Sequence, residues 1–394
     1  MKILIINEKI IEGGAEQSCL KMKKLLEEHN NNVHYLTFDN NFEKKIQNLE
    51  DTNNIINIRV KNNLINKMIF KPILYLKIRR RIKEIRPDKI ILNNLFCSPI
   101  TQLKALKGYE VYQIVRDFSI VCPKSTSIKK NFDICKGYKR ENCMKNCDYH
   151  NTKLKLKFKL YLTRRLEKVR KQIVKKIISP SENLNKYLLN FGYNSCCVNN
   201  PMKIENKELP NKNFDKKYRE YIYVGMINKN KGIYDFLDSF KYFEVQKDVK
   251  LKIIGKPSSK EDEETLKKYI KDDLKIEFLG YKNHNDTILE IEKADFIVVP
   301  SLWIENYPTT ALEGMLYGAV VLGSNRGGIP EIVGKDRGFL FDITEKKDIL
   351  QTLDKSYNLD YNSYCEVRDR ANKYVKDNNS FKTYYKKIMK ILED

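Results

Sequence analysis

Short apolar runs recur along the whole chain, and each is followed by a polar turn and then by a stretch with helical spacing. In the first half the runs are 2–7, 33–38, 55–60, 88–92, 111–115, 176–179 and 196–198. In the second they are 221–224, 250–254, 275–279, 295–299, 319–323 and 338–341. Most are continuous rather than alternating, as in Phe296-Ile297-Val298-Val299, which is the pattern of strands buried on both faces of a parallel sheet. Between them, 15–28, 67–86, 153–176, 182–191, 233–243, 261–270 and 286–293 carry helical periodicity, and 345–356, 361–376 and 381–392 close the chain as helices. Strands alternating with helices predict two doubly wound parallel sheets. Met202 to Lys217 is polar, charged and proline-containing with little periodicity, and reads as the linker between domains 1–205 and 218–375.

One stretch, PSLWIENYPTTALEGMLYGAVVLGSNRGGIP from Pro300 to Pro330, concentrates the chemistry. A polar loop carrying Glu305 follows the strand, Pro308 is suited to the first helical position, Glu313 lies on that helix, and Gly318 ends it. The carboxyl end of a strand in an open α/β sheet is where ligands bind. The helix start offers N–H groups and two hydroxyls at Thr309 and Thr310, which favour a phosphate, and carboxylates on each side accept hydrogen bonds from sugar hydroxyls. Glu305 and Glu313, in the form E-N-Y-P-T-T-A-L-E, resemble the E-x7-E signature of the retaining GT-B glycosyltransferases of family 4.

Other positions extend the resemblance. Gly13-Gly14 after the first strand is similar to the family's N-terminal glycine loop, and Lys231-Gly232 to its G-R-x4-K-G element. Met226 stands where that element has arginine, and Arg116, beside Asp117, where a histidine is common. An arginine stays protonated and cannot act as a base, although it can clamp an anion. The resemblance implies two Rossmann-like domains facing a cleft, the first binding the acceptor and the second a nucleoside-diphosphate sugar. Residues 376–394 are the candidate for a helix that crosses back to the first domain. The implied reaction moves the sugar to an acceptor hydroxyl with retention, without a metal cofactor. Glu305, Lys231 and Asp117 are the candidate catalytic residues; Gly13, Gly14, Lys231, Tyr307, Thr309, Thr310 and Glu313 are the candidate donor-binding residues.

Composition changes this picture in two places. The formal net charge is +23, and part of it clusters in 67–86 and 153–176, which mix basic and apolar residues like basic amphipathic helices. An anionic membrane surface and a lipid-linked or saccharide acceptor, as in surface polysaccharide synthesis, are expected partners; the alternative is a packed helix with a solvated basic face. No zinc-finger spacing or RNA-recognition signature supports nucleic acid as a partner. The N-terminus carries no signal peptide, so a cytoplasmic protein, peripheral on the cytoplasmic face of the membrane, is expected. Of nine cysteines, Cys122, Cys135, Cys143 and Cys147 crowd into a Lys-rich insert at about 118–150, with His150 beyond. Four thiolates can close a structural zinc site; the other reading is reduced thiols in an insert. Two rival functions remain: a sugar-nucleotide epimerase of the same architecture, and a lapsed GT-B-like binding protein, which Met226 and Arg116 favour.

Overall fold

A computed structural model describes residues 1–394 apart from 11–13, 48, 50–51, 61–69, 94, 96–97, 130–131, 133–134, 136–142, 144, 148–152, 206–207, 213, 215–216 and 271–274. The chain packs as two units, Met1–Val198 with Tyr385–Asp394, and Asn199–Tyr384.

The first unit is a parallel sheet of β1 (Lys2–Asn7), β2 (Asn32–Thr37), β3 (Ile55–Asn57), β4 (Lys89–Leu92), β5 (Val111–Ile114), β6 (Val174–Ser179) and β7 (Ser195–Cys197), in the order 3-2-1-4-5-6-7. Ile3, Leu4, Ile5 and Ile6 of the central strand are at most 2% exposed, which is why β1 is apolar without alternation. The helix Pro72–Ile85 buries Leu74, Ile78, Ile82 and Ile85, spaced so that one stripe meets the core. The helix Pro99–Ala105, which the periodicity does not predict, is buried at every position but Lys104, so no polar face marks it in the sequence.

The second unit is a parallel sheet of β8 (Arg219–Val224), β9 (Val249–Ile254), β10 (Ile276–Gly280), β11 (Phe296–Val299), β12 (Val320–Ser324) and β13 (Gly338–Phe341), in the order 10-9-8-11-12-13. In both sheets the chain winds outward from a central strand and returns to wind the other way. The switch lies between β1 and β4 in the first sheet and between β8 and β11 in the second. Crevices outside the carboxyl ends of strands at such switches are the general ligand sites of this architecture.

Two readings of the sequence need correction. Met202–Lys217 is not a free linker. Met202 donates its N–H to Asn379 at 2.6 Å, Ile204 packs on the second core, and the Lys212 ammonium donates to the Glu292 carbonyl at 2.7 Å. Its polarity reflects a strap laid on a surface rather than a hinge. Pro308 is the residue before the helix Thr309–Leu316 rather than its first position; its ψ of 122° keeps it extended. At the other end of the chain, the helix Phe381–Glu393 starts in the second unit, and its residues from Tyr385 on belong to the first. There Tyr385 stacks on His29 with ring centroids 3.8 Å apart.

Candidate donor site at the switch of the second sheet

The site grows from two loops locked to each other. After β8 the chain makes a tight turn, Lys229–Lys231, whose first N–H groups are satisfied by the Asn228 side chain accepting from Lys231 N at 3.0 Å. Gly232 follows in the left-handed region, with φ of 66°. A Cβ there would lie 1.8 Å from the Pro300 carbonyl oxygen, so glycine is what lets this turn press against the end of β11. The Asn230 carbonyl then accepts from both Leu302 N and Trp303 N at 3.1 Å. From the other side, Gly328 N donates to the Glu305 carbonyl at 2.7 Å, and the Ser324 hydroxyl donates to the Ser301 carbonyl at 2.8 Å. Gly327, with φ of 61°, is equally pressed on Glu305, where a Cβ would stand 2.1 Å from the carbonyl oxygen.

This clamp converges three donors on one oxygen. Glu305 Oε1 accepts from Lys231 Nζ at 2.6 Å, Ser301 Oγ at 2.7 Å and Trp303 Nε1 at 2.7 Å. Lys231 Nζ also lies 4.8 Å from the centre of the Trp303 ring, within range of a cation–π attraction. Among the described residues no hydrogen bond reaches the other carboxylate oxygen, Oε2, so the carboxylate is fixed in orientation and keeps its acceptor capacity. Sequence spacing identified Lys231 and Glu305 but not Ser301 or Trp303. The signal for those two is their place in the same loop, two and four residues before the carboxylate.

Glu313 sits on the helix Thr309–Leu316, half-buried, with Oε1 3.8 Å from His284 Nδ1. No side chain caps that helix, so its first N–H groups keep the positive end of the helix open. Thr309 is exposed and Thr310 half-buried. Tyr307, by contrast, is a core residue: it is 4% exposed, and its hydroxyl lies 3.4 Å from the Tyr374 hydroxyl and 3.3 Å from Asn379 Nδ2. Its ring steadies the helix start from beneath, and a donor-binding role is not what its surroundings suggest. Met226, at the position of the expected arginine, is 55% exposed, and its carbonyl accepts from the Tyr223 hydroxyl at 2.6 Å. Burial, followed by the Glu305 charge, raises the Tyr223 pKa, so this hydroxyl stays a donor. Of two other cations in this unit, the Lys229 charge acts on Asp235 and the Arg326 charge on Asp342.

The remaining sequence candidates lie in the first unit. Gly13 falls outside the described residues, and Gly14 begins the helix Gly14–Glu28. Asp117 Oδ1 accepts from Ser119 N at 2.8 Å and so caps the short turn Phe118–Ile120. Arg116 Nε donates to Asn93 Oδ1 at 3.4 Å. Cys122, Cys135, Cys143 and Cys147 all line one small pocket with Leu156; His150 lies outside the described residues. Among the described residues no group of three or more His, Cys, Asp or Glu converges as a metal site. Nor is any helix among them long and apolar enough to cross a membrane.

Residues 205–378 match the family described as Glycosyl transferases group 1. In sequence the chain is similar to an uncharacterized 41.2 kDa protein in the cps region of Klebsiella pneumoniae, 24% identical over 173 residues, which cover 43% of this chain and 46% of that protein. The match therefore spans about half the length of that relative. In structure the chain is similar over 100% of both chains to Anabaena Alr3699/HepE in complex with UDP, with a TM-score of 0.74 and 15% identity. It is also similar to a glycosyltransferase from Rickettsia africae (TM-score 0.72, 15% identity, 100% of this chain and 97% of that one). A third neighbour is the apo form of the lipopolysaccharide outer core galactosyltransferase WaaB (TM-score 0.70, 17% identity, 99% of each chain). The fold is GT-B, with two parallel-sheet α/β domains.

Proposed function

We propose that this group 1 glycosyltransferase moves a sugar from a nucleoside-diphosphate sugar to an acceptor hydroxyl with retention of anomeric configuration. The observation that carries this reading is the convergence of Lys231, Ser301 and Trp303 on a single oxygen of Glu305 at the switch point of the second sheet. A carboxylate so fixed, with its second oxygen available, suits a sugar hydroxyl whose position decides where the anomeric carbon lies. The diphosphate leaving group develops negative charge as the glycosidic bond breaks. Lys231 and the uncapped N–H groups at Thr309 and Thr310 are preorganised donors for that charge. Glu313 is assigned to the ribose hydroxyls. In the ligand-free pair Lys231 rests on Glu305; a diphosphate competes for the same ammonium. Alr3699/HepE has been seen with UDP and with UDP-glucose, so a UDP-sugar is the first donor to try.

The acceptor is assigned to cell-surface polysaccharide or glycolipid synthesis, a reading the cps-region relative supports. The first unit supplies a matching surface. On the helix Pro72–Ile85, Ile73 and Leu76 are 73% and 63% exposed, and Leu76 shares an open groove with Arg79, Arg80, Lys83 and Arg86 and with one carboxylate, Glu84, paired to Arg80. Exposed apolar residues set among cations suit an anionic membrane surface. Failure to sediment with anionic liposomes at low salt would remove the membrane from this scheme.

The deciding experiment is donor binding and slow donor hydrolysis across UDP-, GDP-, ADP- and dTDP-sugars, with Glu313→Ala beside the wild type. One donor that stabilises and turns over in the wild type alone names the base and sugar. Silence across the panel favours a lapsed enzyme, whose first cause would be the exposed Met226 side chain in place of a phosphate-binding arginine.

A further inference from the structure

We propose that a pocket at the carboxyl ends of β4 and β5 in the first unit binds an anionic group of the acceptor between Arg116 and Arg170. This rests on the glycosyltransferase reading only in calling the ligand an acceptor; the pocket itself is argued from the first unit alone.

The pocket, about 190 Å³, is lined by Asn93, Gln113, Arg116, Leu162, Leu166 and Arg170 among others, and among the described residues no aspartate or glutamate lines it. Arg170 is the unusual member. It lies near the end of the helix Lys153–Ile173 and is 6% exposed. Its Nε donates to Gln113 Oε1 at 2.9 Å. Among the described residues no carboxylate pairs with it; Glu167, one turn before, is taken by Lys171 at 2.6 Å. A guanidinium cannot shed its proton, and a buried charge without a counter-ion is unfavourable. A pocket that holds such a group, with a second arginine beside it, is electrostatically complementary to an anion.

The rest of the lining narrows the class. Asn93 and Gln113 offer amides, and the Ser119 and Ser125 hydroxyls also reach the surface of the pocket, so an oxyanion finds several donors. Leu162 and Leu166 form an apolar side on the same helix as Arg170, two turns and one turn earlier. The ligand chemistry that fits is a phosphate or carboxylate joined to a less polar body. A phosphorylated lipid carrier and an acidic saccharide both present that chemistry, and the test separates them.

Binding to the full-length protein without donor would be measured by calorimetry for farnesyl phosphate, farnesol, inorganic phosphate and glucuronate. Farnesyl phosphate is expected to bind more tightly than farnesol or inorganic phosphate, and more weakly as salt rises. Arg170→Gln is expected to weaken it about tenfold to a hundredfold. Arg170→Lys, which keeps the charge and loses the planar fork, should recover only part of the affinity. Glucuronate binding with the same sensitivity to Arg170→Gln supports the site and names an acidic saccharide as its source. Should Arg170→Gln melt abnormally, Arg116→Gln carries the same test from a half-buried position. Absence of binding by every anion, equal binding of farnesol, or indifference to both substitutions overturns the proposal. Because no donor is present, such a failure leaves the UDP-sugar experiment standing, and a failure of that experiment leaves this one.

Discussion

Between β8 and β11 the second sheet ends on an ion pair; between β1 and β4 the first ends on a ladder of amides. In the second unit Lys231 and Glu305 meet at 2.6 Å, with Ser301 and Trp303 on the same carboxylate oxygen. In the first, Asn93 Nδ2 donates to Asn7 Oδ1 at 3.1 Å, and Asn7 Nδ2 donates to the Tyr35 hydroxyl at 2.9 Å and to the Lys9 carbonyl at 2.8 Å. The nearby Cys19 thiol is pushed up to about 12 by burial, so it stays protonated and adds no charge. Charge enters the first unit's pocket to one side, at Arg116 and Arg170. Two sheets wound alike therefore serve different ligand chemistry through their loops. One presents a carboxylate paired with a cation, and the other a frame of amides beside two arginines. The family match runs over 205–378 and so covers the first of these arrangements and not the second.

The deepest break in that contrast comes from removing the pair. Glu305→Gln and Lys231→Ala are each expected to lower kcat/KM for the donor that the panel identifies by about 10²–10³-fold, the size typical of losing one preorganised charged partner. Asn93→Ala, in the first unit's pocket, should leave the donor kcat/KM largely unchanged and lower stability by about 1–3 kcal/mol for the buried amides it leaves unpaired, read as a lower denaturant midpoint. Equal loss of activity without loss of stability at Asn93 would mean that the amide ladder is itself part of the catalytic machinery.

A backbone comparison comes next in size. Gly232 and Gly108 both have positive φ, 66° and 90°. A Cβ on Gly232 meets the Pro300 carbonyl oxygen at 1.8 Å, and one on Gly108 meets nothing within 4 Å. Gly108→Ala should therefore show the conformational penalty alone, about 1–2 kcal/mol. Gly232→Ala adds a clash in the donor loop, about 3 kcal/mol or more in all, and should abolish donor binding. Similar stability losses in the two variants would show that the loops of the second unit yield rather than clamp.

These examples also show what the sequence discloses. Both sheets are legible because parallel strands are buried on both faces and read as unbroken apolar runs, as β11 does. Lys231-Gly232, Glu305 and Glu313 are legible because they sit at fixed distances from strand ends. Ser301 and Trp303 are not, since their convergence on Glu305 depends on how the loop folds back. Arg170 is hidden for a different reason: in a helix with nine Lys and Arg among its 21 residues, nothing in the spacing separates the cation turned inward from those in solvent. Tyr307 misleads because a tyrosine between the two glutamates looks exposed until the helix Tyr361–Asn379 is seen to receive its hydroxyl. Met202–Lys217 misleads because a surface strap and a linker have the same composition.

Trp303→Phe tests the finer structure of the charged site. It keeps a ring beneath Lys231 but removes one of the three donors to Glu305 Oε1. With Lys231 and Ser301 still in place, donor kcat/KM should fall about tenfold, within the range for one hydrogen bond to a charged group. Trp303→Leu also loses the ring face and should fall further. An unchanged Trp303→Phe enzyme would show that the ion pair alone orients the carboxylate.

The smallest effect is expected from a carboxylate at the strand ends of the first unit that is held by a lysine. Asp39, just beyond β2, is 4% exposed. It accepts from Lys45 Nζ at 2.8 Å, Asn41 N at 2.9 Å and Ile10 N at 3.2 Å. Burial alone would raise its pKa, but these bonds outweigh burial and hold it below the ordinary aspartate value. A carboxylate with a depressed folded-state pKa contributes stability that is present above its unfolded pKa and lost as pH falls through the folded one. Asp39→Asn should thus lower the melting temperature by about 2–4 °C near pH 7, and the difference from wild type should shrink as the pH is taken down through about 4 to about 3. A gap that persists at the acidic end would mean that Asp39 acts through shape and neutral hydrogen bonds. The contrast with the charge-dependent Lys231–Glu305 pair would then be sharper still.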